Sequence, residues 1–178
     1  MMIKAFHRYF WLKNKTGLSV IELLGAITVL VIAFVSILGL LAFSLRVSTF
    51  QKQMTQAVAL AQEAMEATRN FRDGIAWDHD DADNSYDGIS LRTMDTQSYH
   101  PAKSGDVPPR WQLVAGEETI NDFKRKIVFS KACRDANNNI SACGTEDLDT
   151  RKVTVTVSWT VRANTYQVVI PMYLANWK

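Results

Sequence analysis

The sequence is poor in the side chains that bind transition metals. Its 178 residues include three histidines and two cysteines. His7, His79 and His100 lie far from the cysteines along the chain, whereas a zinc site needs about four converging ligands. No cysteine lies near the N-terminus, which argues against a lipid-anchored protein. An even cysteine pair is typical of a disulfide in an exported domain, so we expect Cys133 and Cys143 to be bonded.

The sequence also lacks the arrangements that carry most enzyme chemistry. It has no recognisable nucleophile–base pair, no glycine-rich phosphate loop and no cysteine–histidine metal cluster. We therefore expect neither catalytic activity nor a cofactor.

Charge is missing from two stretches near the N-terminus. Residues 1–17 contain no acid and four bases, Lys4, Arg8, Lys13 and Lys15. From Leu23 to Leu45 no residue is charged. At about 1.5 Å per residue, a helix over that run can span a bilayer core of about 30 Å. The basic end would face the cytoplasm and the C-terminal part would be exported.

The rest of the chain is slightly acidic. After residue 17 it holds sixteen bases and eighteen acids, which argues against a headpiece that binds DNA along a broad basic face. One of those acids, Glu22, stands at the edge of the uncharged run. An acid there is costly, which marks it as a candidate functional residue.

The segment around Glu22 resembles a processing motif. Its sequence is Gly17-Leu18-Ser19-Val20-Ile21-Glu22-Leu23-Leu24, after a basic leader. It resembles the motif of type IV prepilins and type II secretion pseudopilins, although Leu18 stands where phenylalanine is usual. A secretory signal peptide differs, because its apolar core precedes the cleavage site.

The resemblance implies a set of functional expectations. A prepilin peptidase would cleave between Gly17 and Leu18 and methylate the new N-terminus. Glu22 would then pair with the N-terminal amine of a neighbouring pilin subunit. The protein would sit in the cytoplasmic membrane as a single-pass protein before it joins a cell-surface filament. A minor pilin is the first interpretation. A secretion pseudopilin and a membrane-anchored binding module that never polymerises remain alternatives.

The predicted fold is α+β and pilin-like, with a long N-terminal helix and a C-terminal antiparallel sheet. The expected segments are a leader over 1–17, a membrane or filament-core helix over 18–45, its amphipathic continuation over 46–73, and a headpiece over 74–178. Apolar side chains in the continuation form one stripe at helical spacing. Its members are Val47, Phe50, Met54, Ala57, Ala61, Ala64, Thr68 and Phe71. We expect Gly74 to end the helix as a left-handed cap.

Residues 74–109 are predicted to be irregular. Within them, Asp83, Ser85 and Asp87 place oxygen atoms at alternating positions before Gly88, as in the first half of a calcium loop. Met94 stands where such a loop needs a glutamate, so a solvated acidic loop is the favoured interpretation.

Strand patterns begin at residue 111. Short apolar runs at 111–114 and 126–129 predict strands, and residues 152–161 alternate strictly between apolar and polar side chains. A turn over 162–165 would return the chain as a strand over 166–174, and Pro171 favours an edge position or a bulge. Asp135, Asn137, Asn139, Ser141 and Glu146 have calcium-loop spacing, but Ile140 occupies the position that needs glycine. A tight turn is therefore favoured for the segment between Cys133 and Cys143.

Overall fold

The structure is a computed structural model that describes residues 19–84, 86–92, 96–142 and 144–177. One helix, α1, runs over Val20–Gly74. The chain divides into two compact units, Met1–Ser48 and Thr49–Lys178. In the first unit, the described part consists of Ser19 and the beginning of α1. The second holds the remainder of α1 and the strands.

The described part of the second unit has seven strands in one antiparallel sheet. They are β1 Ser98–Lys103, β2 Trp111–Ala115, β3 Glu118–Ile120, β4 Phe123–Arg134, β5 Ile140–Ser141, β6 Thr145–Val161 and β7 Asn164–Ala175. The order across the sheet is β2-β1-β4-β6-β7, and β3 and β5 pair with β4. A 3-10 helix, Ile89–Leu91, precedes β1. The predicted α+β fold, a long N-terminal helix with an antiparallel sheet after it, is confirmed.

The hairpin of β6 and β7 is the longest regular pairing. It is in register from Thr150 opposite Ala175 to Val161 opposite Asn164. Its turn is Arg162–Ala163, with Arg162 in the left-handed region at φ 59°. The turn is shorter than predicted, because Asn164 and Thr165 already belong to β7. Pro171 lies on the edge strand β7, the first of the two predicted alternatives, where a missing N–H need not break a ladder.

The core of the second unit lies between α1 and one side of the sheet. Ala57, Ala61 and Ala64 are completely buried, and Phe71 is 2% exposed. They pack with alternate residues of β4, β6 and β7, among them Ile127 and Val155. Small alanine side chains let the helix approach the strands closely. The predicted apolar stripe is therefore confirmed from Ala57 onward, although Met54 remains 41% exposed.

The C-terminal end of α1 differs from the prediction. The helix does end at Gly74, but Gly74 does not take a positive φ; among the described glycines only Gly116 and Gly144 do. The left-handed cap is therefore wrong. The helix instead leads directly into a bend at Ile75.

The region predicted to be irregular contains a strand. β1 pairs with β2 from Tyr99 opposite Ala115 to Lys103 opposite Trp111. It meets β4 only at Ser98 and Tyr99. The alternation of β1 is obscured in the sequence by His100 and Pro101, so the strand is recognised only through its partners.

Candidate functional site

The first unit exposes a long apolar helix surface. All residues from Val20 to Arg46 are exposed, including Val20 at 74% and Phe34 at 62%. Soluble monomers rarely expose an apolar area of this size unless it binds a membrane or a partner. By length and composition alone, α1 can cross a membrane, since its most apolar window has a mean hydropathy of 2.8. This surface is the candidate functional site.

The polar side chains within the apolar run are satisfied by the helix itself. Thr28 Oγ1 donates to the carbonyl of Leu24 at 2.8 Å, and Ser36 Oγ donates to the carbonyl of Ile32 at 2.8 Å. A hydrogen bond from a side-chain hydroxyl to the carbonyl four residues earlier satisfies a donor that would otherwise need water or another partner. The run can therefore enter an apolar environment with these two hydroxyl groups already hydrogen-bonded.

The helix begins next to the predicted assembly residue. The carbonyl of Ser19 accepts the backbone N–H groups of Glu22 at 3.0 Å and Leu23 at 3.1 Å. Glu22 thus lies in the first turn, where the positive end of the helix dipole favours a carboxylate. Its side chain is exposed and forms no ion pair with any residue that the structure describes. Gly17 and Leu18, the predicted cleavage site, lie outside the described residues.

A buried arginine joins α1 to the sheet inside the second unit. Arg125 is 3% exposed. It donates to Glu63 on α1 at 2.9 Å, to Glu118 on β3 at 2.6 Å, and to the carbonyl of Leu60 at 3.2 Å. Sequence reasoning missed this group. Arg125 occupies an inward position in β4 between Phe123 and Ile127. A charged residue at a position where the strand alternation calls for an apolar one was the sequence signal that could have indicated a buried ion pair.

A second buried arginine organises the chain after α1. Arg92 is 5% exposed and donates to the carbonyls of Asp87 and Leu113, each at 3.1 Å. Its guanidinium lies over the rings of Phe71 and Tyr99. Burial lowers the pKa of Arg92 from its ordinary value, although nearby Tyr99 and Asp87 oppose that shift. Arg92 therefore anchors the loop structurally.

The acidic loop uses its carboxylates to hold its own backbone. Asp87 accepts the N–H of Asp81 at 3.0 Å, and Asp81 accepts the N–H of Tyr86 at 3.2 Å. Asp83 is exposed and Asp87 is 9% exposed, so the loop is solvated only in part. Of the calcium candidates, Ser85 lies outside the described residues. Across the described ranges, no group of three or more histidine, cysteine, aspartate or glutamate side chains could hold a metal ion.

Gly88 has a packing role in this loop. A Cβ atom at this position would lie 2.2 Å from the carbonyl oxygen of Trp77. The Gly88 N–H also donates to the carbonyl of His79 at 2.7 Å. The glycine that suggested the start of a calcium loop is thus needed for close approach of two backbone segments.

The asparagine-rich segment forms the predicted turn. Asp135 Oδ1 accepts the N–H groups of Asn137 at 2.9 Å and Asn139 at 2.8 Å, and Asn138 has φ 64°. These hydrogen bonds, led by that of Asn139, lower the pKa of Asp135. Glu146 lies on β6 and pairs with Lys131 at 2.8 Å.

The predicted disulfide falls partly outside the described residues. Cys133 is half-buried on β4 and stands opposite Ser141 of β5. Cys143 is not among the described residues, so the Cys133–Cys143 bond stays a prediction.

No protein-family model, curated protein or solved structure matches the chain. The described fold therefore places the chain only in a broad class of proteins. Members of this class have a long, apolar, N-terminal helix that could serve as a membrane anchor, followed by an antiparallel sheet.

Proposed function

We propose that this chain is a structural subunit of a type IV pilus or a related filament, and specifically a minor pilin. In this proposal a prepilin peptidase removes residues 1–17 from the membrane-inserted precursor. The processed chain then leaves the cytoplasmic membrane and joins other pilin subunits through the first part of α1. It acts as a building block and not as an enzyme.

One observation carries the proposal: the apolar part of α1 is exposed throughout and carries one acid, Glu22, in its first turn. A membrane anchor alone would need the apolar surface but not the acid, which is costly at a membrane edge. The motif that begins at Gly17 supplies a reason for it. After cleavage the new amine on Leu18 would offer a positive partner to Glu22 of another subunit.

Cleavage is the test of this proposal. Co-expression with a prepilin peptidase should shorten the wild-type chain by its leader, as seen by intact mass. Gly17→Val should prevent the shortening. Gly25→Val is the matched control, because a Cβ atom there meets no atom within 4 Å, and it should be cleaved normally. A wild-type chain that keeps its leader would favour the membrane-anchored module that never polymerises.

A further inference from the structure

The second unit contains a cavity of about 390 Å³ between the acidic loop and the β1–β2 hairpin. Asp83 and Asn84 of the loop line it, together with Gln97, which directly precedes β1, and Val114 on β2. Its volume falls within the range of about 300–1,000 Å³ that small-molecule sites occupy. Every residue of its lining belongs to the second unit, so its geometry is set within that unit alone.

Three polar side chains of this cavity have no partner within the protein. Asp83, Asn84 and Gln97 are exposed. None of their side chains forms a hydrogen bond or an ion pair with a residue that the structure describes. A carboxylate only accepts hydrogen bonds, whereas an amide side chain both donates and accepts them. The cavity therefore offers a ligand three polar groups of two kinds.

A second cavity in the same unit shows the contrast. It has a volume of about 330 Å³ and lies between α1 and Trp111. Its charged side chains are already engaged in ion pairs within the protein: Glu63, Glu66, Arg69 and Asp73. A ligand there would have to compete with those pairs, whereas the cavity beside the acidic loop needs no such exchange.

The rest of the lining is apolar or fixed in place. Leu91 and Val114 are 47% and 38% exposed, so they present apolar surface to a ligand. Arg92, Tyr99 and Leu113 form the buried part of the lining. The hydrogen bonds of Arg92 to backbone carbonyls hold this part in place. The cavity thus combines a rigid interior with apolar surface near its opening.

The charges around the cavity favour a neutral ligand. The carboxylates of Asp83 and Asp87 line it and repel an anion, and the guanidinium of Arg92 repels a cation. Hydroxyl groups suit the three unpartnered side chains, because each hydroxyl donates one hydrogen bond and accepts others. A ring that carries hydroxyl groups at its edge and C–H groups on its face matches both kinds of lining.

We propose that this cavity binds a neutral saccharide unit. Asp83 accepts hydrogen bonds from the sugar hydroxyls, and Asn84 and Gln97 each donate and accept. Leu91 and Val114 pack against the C–H groups of the ring. The inference goes beyond the proposed function and requires neither cleavage nor assembly.

Saturation-transfer NMR tests the inference on the full chain in phosphatidylcholine nanodiscs, which contain no sugar headgroup. The probes are the methyl β-glycosides of glucose, galactose and N-acetylglucosamine. At least one probe should receive saturation from the protein. Asp83→Ala and Gln97→Ala should each raise its dissociation constant about fivefold, the loss expected from one hydrogen bond. Gln167→Ala, at an exposed glutamine of β7, is the matched control and should leave the dissociation constant unchanged.

An anionic probe tests the charge argument separately. The uronide of the bound sugar has the same ring with a carboxylate added. Repulsion by Asp83 should make it bind about fivefold more weakly than the neutral glycoside. Asp83→Ala should narrow that difference, whereas Gln97→Ala should weaken both probes alike.

Three results would overturn the inference. Absence of saturation transfer to all three glycosides would show that the cavity is not a saccharide site. Transfer that is equally strong in wild type, Asp83→Ala and Gln97→Ala would place the sugar elsewhere on the protein. A uronide that binds as well as the neutral glycoside would contradict the preference for a neutral ligand.

Discussion

The two parts of α1 differ in the burial of their apolar side chains although they belong to one helix. In the first unit Phe34 is 62% exposed, whereas in the second unit Phe71 is 2% exposed. The earlier part carries large apolar side chains in all directions. The later part confines apolar contact to one stripe, made mostly of alanine. The difference teaches that hydrophobicity alone does not define a protein core. A helix that is apolar on all sides needs an apolar environment from outside its own chain, whereas a helix with one apolar stripe can bury that stripe against its own sheet.

The largest expected effect on stability separates the two phenylalanines. Phe71→Ala should lower the free energy of unfolding of the second unit by about 3–5 kcal/mol, because a buried aromatic leaves a cavity. Phe34→Ala, the same change in the exposed part, should leave it unaltered. Urea unfolding of the full chain in detergent, followed by tryptophan fluorescence, measures both. Equal losses of unfolding free energy in the two variants would contradict the claim that only the later part of α1 contributes to the core of the second unit.

The disulfide should have the next largest effect. If Cys133 and Cys143 are bonded, Cys133→Ser should destabilise the second unit by about 2–3 kcal/mol on the chain-entropy model. Insertion of the first unit into membranes should not change. Mass spectrometry of unreduced, exported protein checks the bond itself, and two thiols open to alkylation would refute it.

Arg125 should contribute somewhat less. Arg125→Ala removes a buried donor from Glu63, Glu118 and a helix carbonyl, and we expect a loss of about 2 kcal/mol from these charged hydrogen bonds. Arg46→Ala removes a basic residue from the exposed part of α1 and should cost nothing in the same urea titration. A comparable loss from both variants would mean that Arg125 acts only through overall charge.

The smallest effect is a pH dependence confined to the second unit. Hydrogen bonds from Thr150 and then Arg134 hold the pKa of Asp147 below its ordinary value of about 3.8. A depressed carboxylate pKa contributes stability above the unfolded-state value, and that contribution disappears as pH falls through the folded-state value. Asp147→Asn should therefore flatten the loss of stability below about pH 4. An unchanged acid limb of the pH profile would show that Asp147 contributes nothing there.

The main architecture could be predicted from the sequence because its signals lie within single elements. The first part of α1 is marked by the length of its uncharged run, and the helical stripe and the strict alternation of β6 are marked by the spacing of apolar residues. What the sequence did not reveal depends on contacts between distant segments. Arg125 is explained by Glu63 and Glu118, and β1 by its pairing with β2.

The candidate site was predictable only in part for the same reason. Glu22 and the apolar run were evident in the sequence and lie where expected, in the first turn and along the exposed surface of α1. In the second unit, the aromatic contacts of Trp159 with Phe50 and Phe123 were not evident, because they form only when α1 packs on the sheet. Local rules also failed at Gly74, where a glycine after a helical pattern suggested a cap that the backbone does not adopt.

The central claim is that the exposed part of α1 is an assembly surface whose acid, Glu22, pairs with another subunit. It is tested most directly with Glu22→Ala and Glu22→Gln in cells that make both the peptidase and the filament. Leader removal and incorporation into sheared filaments are measured in the same cultures. We predict that both variants insert and are cleaved as well as wild type, yet enter filaments poorly. Incorporation at the wild-type level would contradict the claim.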